Sequence, residues 1–340
     1  MKYVRTEDAV GQILCHDITQ IIPGKVKDAV FRKGHVITEE DVPVLLSVGK
    51  ENIYIWENNE NMLHENDAAQ ILYELCVGDN MHPSPVKEGK IELIADVHGL
   101  LKIDREKLNA VNSLGEMMIA ARHGDFAVEP GDHLAGTRVI PLVIEKEKME
   151  RAKEAAKGGR IFNVLPFKMK RVGIVTTGSE VYYGRIEDKF TPVLRKKLDE
   201  FRADVIGHEV CSDDNVMITE KICGFLEKGA DMVLCSGGMS VDPDDRTPLA
   251  IKNTGAEIVT YGAPVLPGAM FMLAYYGEKR VPIVGLPGCV MYAKRTVFDL
   301  VLPRLMADDP VAREDLNRLG EGGLCLNCST CTFPNCGFGK

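Results

Sequence analysis

The chain has 340 residues, of which 45% are hydrophobic and 27% are charged, and its formal net charge at pH 7 is -9. These values are typical of roughly two to three globular domains and exclude a disordered, collagen-like or coiled-coil chain. The negative charge argues against a general nucleic-acid binder, which would present a basic face.

The sequence gives no sign of membrane insertion or secretion. The first residues, from Met1 to Asp8, contain no apolar segment of the kind that forms a secretory signal. The longest apolar stretch, from Ala263 to Tyr276, is interrupted by Pro264, Pro267 and Gly268 and is too short to span a bilayer. We therefore expect a cytoplasmic protein with neither a membrane nor a nucleic acid as its partner.

Residues 1–60 are predicted to form a small β-rich module. Short apolar strands alternate with turns, and one short helix is followed by Gly49, a usual helix end. A polar linker begins at Glu57. The predicted elements are strands Gly11–Leu14, Ile18–Ile22 and Ile53–Trp56, turns Pro23-Gly24 and Lys33-Gly34, and helix Val42–Val48.

Residues 66–150 are predicted to form an accessory α+β domain. Apolar residues recur with helical spacing over Asp67–Leu75, and the segment Lys107–His123 is interpreted as one or two helices. Strands are expected at Lys90–His98 and Gly136–Ile144, and Glu145–Gly159 is a charged helical connector.

Residues 168–308 show the clearest alternation of strands and helices. Such alternation predicts an α/β fold with a parallel sheet and right-handed crossovers. The predicted strands are Arg171–Thr176, Val205–Val210, Asp231–Cys235, Glu257–Tyr261 and Val281–Gly285. The predicted helices are one that starts at Thr191-Pro192, then Val216–Lys228, Pro248–Asn253 and Val290–Leu305.

Three glycine-containing loops follow strands of this predicted sheet: Thr176–Glu180, Ser236–Ser240 and Gly285–Gly288. Ligands of parallel sheets bind at the carboxyl ends of strands, where glycine lets backbone N–H groups approach an anion. Three such loops indicate a ligand that carries phosphate. The alternative is that they are ordinary tight turns.

Carboxylates follow the first two of these loops. Carboxylates beside a phosphate site repel the ligand unless a divalent cation lies between them, so the arrangement predicts Mg²⁺. In the alternative interpretation, Asp244 and Asp245 cap the next helix. The residues are Glu180, Glu187 and Asp188 after the first strand, and Asp242, Asp244 and Asp245 after the second loop.

Four of the ten cysteines lie in the last sixteen residues, at Cys325, Cys328, Cys331 and Cys336. In a cytosolic chain this spacing indicates a metal centre rather than disulfides. Residues 320–340 are therefore predicted to be a metal-binding tail outside the α/β domain, with a role in docking or redox sensing. The successive x2 spacings favour a [4Fe–4S] cluster over Zn²⁺, which stays as the alternative.

The segment from about 171 to 308 resembles the molybdopterin-binding domain shared by molybdopterin molybdenumtransferases and molybdopterin adenylyltransferases. The order and spacing of its motifs match the transferase branch, and a fainter resemblance to that family's accessory domain covers Val86–Leu142. The motifs are Thr177-Gly178-Ser179-Glu180, Gly184-x-Ile186-x-Asp188, Ser236-Gly237-Gly238-Met239-Ser240 with Asp245 downstream, Leu266-Pro267-Gly268, and Gly285-Leu286-Pro287-Gly288.

The resemblance implies molybdenum cofactor biosynthesis: with Mg²⁺, molybdate is inserted into adenylylated molybdopterin and AMP is released. It implies catalytic roles for Glu180, Asp188 and Asp245, with Mg²⁺ held by Asp188 and Asp245. It also implies a homodimer and a partner molybdoenzyme. The residues implied to bind molybdopterin are Thr177, Gly178, Ser236, Gly237, Gly238, Ser240, Pro267, Gly268, Pro287 and Gly288.

The sequence departs from the family pattern at three places. No lysine accompanies Leu266–Met270, Lys189 replaces the asparagine expected after Asp188, and Cys289 stands where the family continues Asn-Pro-Val-Ser. The lost cations favour the alternative of a non-catalytic protein that binds molybdopterin and delivers it to a molybdoenzyme. A third hypothesis is a hydrolase of nucleotides or pyrophosphate.

Overall fold

The computed structural model describes residues 2–22, 26–55 and 60–340. The predicted turn at Pro23-Gly24, the end of a predicted strand at Trp56 and the start of the linker at Glu57 lie outside these residues. Within the described ranges, no helix is both long enough and apolar enough to cross a membrane.

The chain separates into two compact units. The first runs to Asp96 and also contains Lys102–Arg122 and Pro130–Val164. The second contains Val97–Leu101, His123–Glu129 and Leu165–Lys340. The second unit therefore includes the predicted α/β domain and the cysteine-rich tail.

Short strands dominate the chain up to Pro166. In chain order the elements are β1 (Lys2–Arg5), β2 (Ile18–Ile22), β3 (Val26–Phe31), α1 (Asp41–Ser47), β4 (Asn52–Ile55), β5 (Met62–His64), α2 (Glu65–Cys76), β6 (Met81–Pro83), β7 (Lys90–Ala95), β8 (Gly99–Ile103), α3 (Arg105–Asn112), β9 (Met117–Ala121), β10 (Ala127–Val128), β11 (His133–Val139), β12 (Val143–Glu145), α4 (Lys146–Ala155) and β13 (Phe162–Pro166).

Longer strands and helices alternate in the rest of the chain. They are β14 (Arg171–Thr177), α5 (Ser179–Tyr182), α6 (Phe190–Asp199), β15 (Asp204–Cys211), α7 (Asn215–Glu227), β16 (Met232–Ser236), α8 (Thr247–Asn253), β17 (Glu257–Tyr261), β18 (Met272–Tyr276), β19 (Val281–Leu286), α9 (Val297–Met306) and α10 (Arg313–Arg318).

The N-terminal module has a small core of its own. Strand β1 pairs with β4 and β2 with β3, both antiparallel, around buried side chains that include Leu14, Ile37 and Leu45. The strand predicted at Gly11–Leu14 is reduced to isolated bridges made by Ile13 and Leu14.

The accessory part of the first unit is a four-stranded antiparallel sheet in the order β6-β7-β11-β9, with α2 packed against β7 and β11. The prediction of helix throughout Lys107–His123 is wrong beyond Asn112. Gly115 and Glu116 both have positive φ angles, which end the helical path, and Met117–Ala121 then pairs with β11.

The second unit contains a six-stranded sheet in the order β15-β14-β16-β19-β18-β17. Neighbours among β15, β14, β16 and β19 are parallel, whereas β18 is antiparallel to both β19 and β17. The α/β fold is thus confirmed, but the sheet is mixed rather than purely parallel. Strand β18 was missed because its residues belong to the apolar run that starts at Ala263.

Helices cover both faces of this sheet, which explains why its central strands are apolar on both sides. Val172 and Ile174 of β14 enter one buried cluster, and Val175 enters the other. Gly173 faces the ring of Phe225, and a Cβ at this position would lie 2.4 Å from the ring carbon Cγ. Glycine therefore allows α7 to pack closely on the sheet.

The final helix of the sheet domain starts later than predicted. Val290 lies in a 3-10 turn that ends at Met291, and α9 begins only at Val297. Thr296 accepts a hydrogen bond from the backbone N–H of Phe298 at 3.3 Å, and Asp299 accepts one from the N–H of Thr296 at 2.8 Å. This capping box fixes the start of the helix.

The cysteine-rich tail lies beyond residue 308 in the sequence, but it belongs to the same compact unit as the sheet. Phe338 is 4% exposed and belongs to the main core, and Cys325, Phe333 and Cys336 pack against that core. The tail is poor in apolar residues, but its phenylalanines are enough to attach it.

Candidate functional site

Two consecutive threonines at the carboxyl end of β14 connect the loops of the candidate site. The Thr176 hydroxyl hydrogen-bonds Nε2 of His208 at 3.0 Å and accepts from the Ser236 hydroxyl at 3.4 Å. On the other face, the Thr177 hydroxyl shares a 2.9 Å hydrogen bond with that of Thr247. Because side chains alternate along a strand, Thr176 forms its hydrogen bonds on one face of the sheet and Thr177 forms its hydrogen bond on the other.

Asp188 caps α6 with its carboxylate. Its Oδ1 accepts hydrogen bonds from the backbone N–H groups of Phe190 at 2.8 Å and Thr191 at 3.2 Å, and its Oδ2 accepts one from the Thr191 hydroxyl at 2.6 Å. Burial alone would raise the pKa of Asp188, but these hydrogen bonds outweigh it and hold the pKa below its usual range. Asp188 is therefore ionised, and both of its oxygens have partners.

His208 lies beside Asp188, with its Nε2 3.3 Å from Oδ2 of the carboxylate. Burial lowers the pKa of His208 because it disfavours the charged imidazole, and the nearby Asp188 opposes this only in part. A neutral imidazole can share hydrogen bonds with the hydroxyls of Thr176 and Thr191, as observed. This network was not predicted from the sequence.

The two glycines of the second loop lie very close to the first loop and to the start of α8. Gly237 has a φ of +91°, and a Cβ there would lie 2.2 Å from the backbone oxygen of Thr177. Gly238 has a φ of +55°, and its Cβ would lie 2.8 Å from the Thr247 hydroxyl oxygen. Contacts within the chain are thus enough to require glycine at position 237, whereas at position 238 the atoms closest to a Cβ would be threonine hydroxyls.

Asp245 belongs to the turn that follows the second loop. Its Oδ2 accepts a hydrogen bond from the N–H of Asp242 at 3.1 Å. The N-cap residue of α8 is Arg246, whose side chain makes no capping hydrogen bond, and the Asp245 carboxylate bonds Asp242 rather than the first turn of α8, so the alternative interpretation of Asp245 as a helix cap is not supported. Burial and then the charge of Asp245 raise the pKa of Tyr261, whose hydroxyl donates to the Met239 oxygen of the loop at 2.9 Å.

Arg246 follows Asp245 and brings a cation to the second loop. Its backbone nitrogen would lie 3.6 Å from a Cβ on Gly238, and its side chain is exposed. In the part of the chain that the structure describes, no acidic group forms an ion pair with its guanidinium. Arg246 was not predicted from the sequence as a site residue, although an arginine directly after a run of aspartates was the available signal.

Glu180 is the exposed carboxylate of the first loop. A Cβ on Gly178 would lie 2.9 Å from its Oε1, so the carboxylate turns back toward that glycine. The loop itself is held by the N–H of Ser179, which donates to Oδ2 of Asp213 at 2.8 Å.

The remaining two motifs differ in exposure. Gly268 is buried against the start of α9, and a Cβ there would lie 2.5 Å from Cγ1 of Val297. Pro287 is buried, whereas Gly288 is exposed and has open space around it. Only the second of these two Pro-Gly motifs therefore presents its glycine to solvent, and Ser240 of the second loop is exposed as well.

The predicted carboxylates are not gathered into a preformed metal site. Among the described residues, no group of three or more His, Cys, Asp or Glu side chains is arranged to hold a metal ion. Asp188 is engaged as a cap, while the carboxylate of Glu180 and Oδ1 of Asp245 accept no hydrogen bond from the part of the chain that the structure describes. A Mg²⁺ ion held by one or two carboxylates together with substrate phosphates needs no such group.

Cys289, which replaces the family's asparagine, is half-buried. Burial raises the pKa of its thiol, with a smaller opposing effect from a backbone hydrogen bond. The structure therefore favours the interpretation of Cys289 as a small neutral residue over that of a reactive thiolate.

Two family models match the chain. Residues 3–57 match a domain of unknown function, and residues 173–307 match a model described as "Probable molybdopterin binding domain". Among curated relatives, a CinA-like protein of Mycobacterium tuberculosis is 32% identical over 90 residues, and one of Mycolicibacterium gilvum is 34% identical over 77 residues. These alignments cover 26% and 23% of this chain, and it spans only about a fifth of the length of these relatives.

Similar solved structures include MoaB of Thermus thermophilus, a molybdopterin biosynthesis enzyme, at 25% identity and a TM-score of 0.34. The alignment covers 40% of this chain and 92% of that one. MoaB of Pyrococcus furiosus, a tungsten cofactor synthesizing protein, aligns at 20% identity and a TM-score of 0.32 over 41% of this chain and 89% of that one. The match of the family model agrees with the motifs of the sequence: residues 173–307 form a domain of the probable molybdopterin binding family.

Proposed function

We propose that this chain inserts molybdate into adenylylated molybdopterin and releases AMP. The observation that carries the proposal is the second loop, where Gly237 and Gly238 have positive φ angles and Gly238 lies beside the backbone of Arg246, whose guanidinium forms no ion pair with the described residues. Backbone N–H groups and a guanidinium together suit a phosphate. Molybdopterin carries a phosphate, and its adenylylated form carries a pyrophosphate.

Arg246 compensates in this proposal for the missing lysines of the Leu266–Met270 motif. A guanidinium offers a planar set of donors that binds phosphate oxygens in pairs. The cation is thus supplied from the chain segment before α8 rather than from the segment before β18.

Glu180 and Asp245 are the carboxylates proposed to hold Mg²⁺ against the pyrophosphate. Both keep oxygens that accept no hydrogen bond from the described residues, whereas both oxygens of Asp188 accept hydrogen bonds. Bound Mg²⁺ would supply charge neutralisation for the departing AMP phosphate. In this proposal Asp188 positions the site by fixing the start of α6 and by keeping His208 in place.

The second candidate function is binding and delivery of molybdopterin to a molybdoenzyme without catalysis. One observation favours it: the backbone N–H and oxygen of Leu266 are both used by the tail. They bond the oxygen of Gly323 and the N–H of Cys325, each at 2.8 Å. The motif that carries lysines in the family is thus occupied here by the chain's own C-terminal segment.

Quantifying AMP after incubation with adenylylated molybdopterin and Mg²⁺, with and without molybdate, separates the candidates. Insertion predicts AMP release that depends on molybdate. Delivery predicts retention of the pterin and no AMP. The hydrolase hypothesis predicts release without molybdate and activity on a nucleotide that contains no pterin.

The proposal includes a homodimer, as the resemblance implies. Light scattering of the purified chain at several concentrations tests this part. A mass that corresponds to one chain at every concentration would contradict it.

A further inference from the structure

We propose that the four C-terminal cysteines hold a [4Fe–4S] cluster in a cavity on the second unit. All four cysteines line one cavity of ≈ 240 Å³. Spacing in the sequence suggested the ligands, and the structure adds that all four line one cavity. The inference is independent of the proposed molybdenum chemistry.

The spacing of the cysteines favours a cluster over a single metal ion. Tetrahedral zinc requires four sulfurs at about 2.3 Å from one centre. In a cubane cluster each thiolate binds a different iron, and the successive x2 spacings resemble those of ferredoxin-type ligands. Among the described residues, no three or more His, Cys, Asp or Glu side chains are already arranged to hold a metal ion, so the thiols have to turn into the cavity when the cluster binds.

The lining of the cavity suits a negatively charged inorganic group. Phe333 and Phe338 provide apolar walls, and Lys294 and Arg295 also line the space. Nζ of Lys294 donates a hydrogen bond to the backbone oxygen of Ser329 at 2.9 Å, so this lysine contacts the segment that carries the cysteines. A cluster bound by four thiolates carries net negative charge, which Lys294 offsets. The guanidinium of Arg295 is already paired with Asp299 at 2.9 Å and with Glu200 at 3.5 Å.

The middle part of the tail is an irregular loop between two fixed ends. Residues 325–330 contain no helix or strand, and Cys328 and Cys331 are exposed. Both ends of the tail are nevertheless fixed. A Cβ on Gly322 would lie 2.1 Å from the oxygen of Lys340, and the N–H of Gly339 donates to the oxygen of Gly322 at 2.9 Å. The two ends thus close the tail into a loop, and the cysteines of that loop line the cavity.

The position of the cavity links the cluster to the sheet domain. Pro267 lines the cavity together with the cysteines, and Leu324 forms a parallel bridge to Leu266. The cluster is therefore placed to hold the Leu266–Gly268 motif through the tail.

The test is metal analysis of the full-length chain, purified without oxygen and then reconstituted with iron and sulfide before desalting. We expect about four iron and four sulfide per chain and a broad visible absorption that bleaches on reduction. Cys328→Ser and Cys331→Ser should each lose most of the iron. Both residues are exposed, so the unfolding midpoints of the metal-free variants should match that of the metal-free wild type.

Cys223→Ser is the matched control, because Cys223 is a partly buried free thiol on α7 far along the chain from the tail. It should keep its iron. Stoichiometric zinc without iron would overturn the inference in favour of a mononuclear site. A reconstituted protein with neither metal, or iron that persists in both tail variants, would also overturn it.

Discussion

Asp245 and Asp244 are adjacent aspartates that differ in their surroundings. Asp245 accepts a backbone hydrogen bond and influences Tyr261, whereas Asp244 is exposed. Since Asp245 is proposed to contact Mg²⁺, Asp245→Asn should lower the rate of AMP release by on the order of 100-fold. Initial rates at saturating substrate measure the effect.

Asp244→Asn is the control for this prediction. It removes the same charge from the same turn, so it should change the rate less than about threefold. Equal losses of rate in the two variants would mean that the negative charge of the turn determines the rate, and not a metal ligand at Asp245.

Arg246→Ala should weaken binding of adenylylated molybdopterin by about tenfold or more, because a hydrogen bond to a charged group contributes about 2 kcal/mol. Titration in the absence of molybdate measures the affinity. Arg313→Ala removes an exposed arginine on α10 and should leave the affinity unchanged. If the Arg246→Ala protein bound adenylylated molybdopterin with wild-type affinity, Arg246 would not be the cation that binds the phosphate.

His208 gives a prediction about pH. Its pKa is lowered in the folded protein, so it contributes stability above the pKa of the unfolded state, about 6.5, that is lost as the pH falls through the folded value. Replacing His208 with Asn should therefore reduce the loss of stability between about pH 7.5 and about pH 5.5.

Urea unfolding of wild type and His208→Asn at both pH values measures this difference, since other titrating groups contribute equally to both proteins. An identical loss in the two proteins would show that His208 is not held neutral by the fold.

Residue roles were only partly predictable from the sequence. Motif order selected Glu180, Asp188 and Asp245 because those residues follow recognisable loops, and their roles stay predictions. It gave no hint of His208, which lies in the middle of β15 and reaches the network only because β15 pairs with β14. Contacts of this kind depend on strand order, which no local pattern specifies.

At the scale of elements, the junction of the first two loops depends on Gly237. Gly237→Ala places a Cβ against a backbone atom at a positive φ angle, and we expect a loss of about 2 kcal/mol in stability. Gly224 of α7 has open space around it, so Gly224→Ala should be neutral or stabilise by up to about 1 kcal/mol. Chemical denaturation measures the free energy of unfolding of both variants. A Gly237→Ala protein as stable as the wild type would contradict the close contact between Gly237 and Thr177.

The attachment of the tail is a second prediction at this scale. Phe338→Ala should lower the free energy of unfolding by about 3 kcal/mol, because the ring is buried in the core. Leu326 is 79% exposed, and Leu326→Ala should change stability by less than about 0.5 kcal/mol. Equal effects of the two substitutions on the free energy of unfolding would mean that Phe338 does not attach the tail to the core.

Strands were harder to predict than helices in the apolar segments. Met117–Ala121 follows a helix and continues its apolar spacing, and only the turn at Gly115 and pairing with β11 make it a strand. Met272–Tyr276 is apolar on both faces because β18 lies between β17 and β19. In both cases the deciding interaction is with a distant strand, so the local pattern could not reveal it.

At the scale of the whole molecule, the family model covers residues 173–307 of a longer chain. The second unit extends beyond it to Lys340, where the tail bonds the Leu266 motif. The fold class was predictable because alternating strands and helices determine it. The integration of the tail was not, because its few phenylalanines give no periodic pattern.

The central claim is that AMP release is coupled to molybdenum insertion. The most direct measurement is the ratio of molybdenum captured in the pterin to AMP released in a single turnover, with adenylylated molybdopterin, Mg²⁺ and molybdate. Insertion predicts about one molybdenum for each AMP, and no AMP when molybdate is omitted. AMP formed without captured molybdenum, or a bound pterin that never releases AMP, would contradict the account.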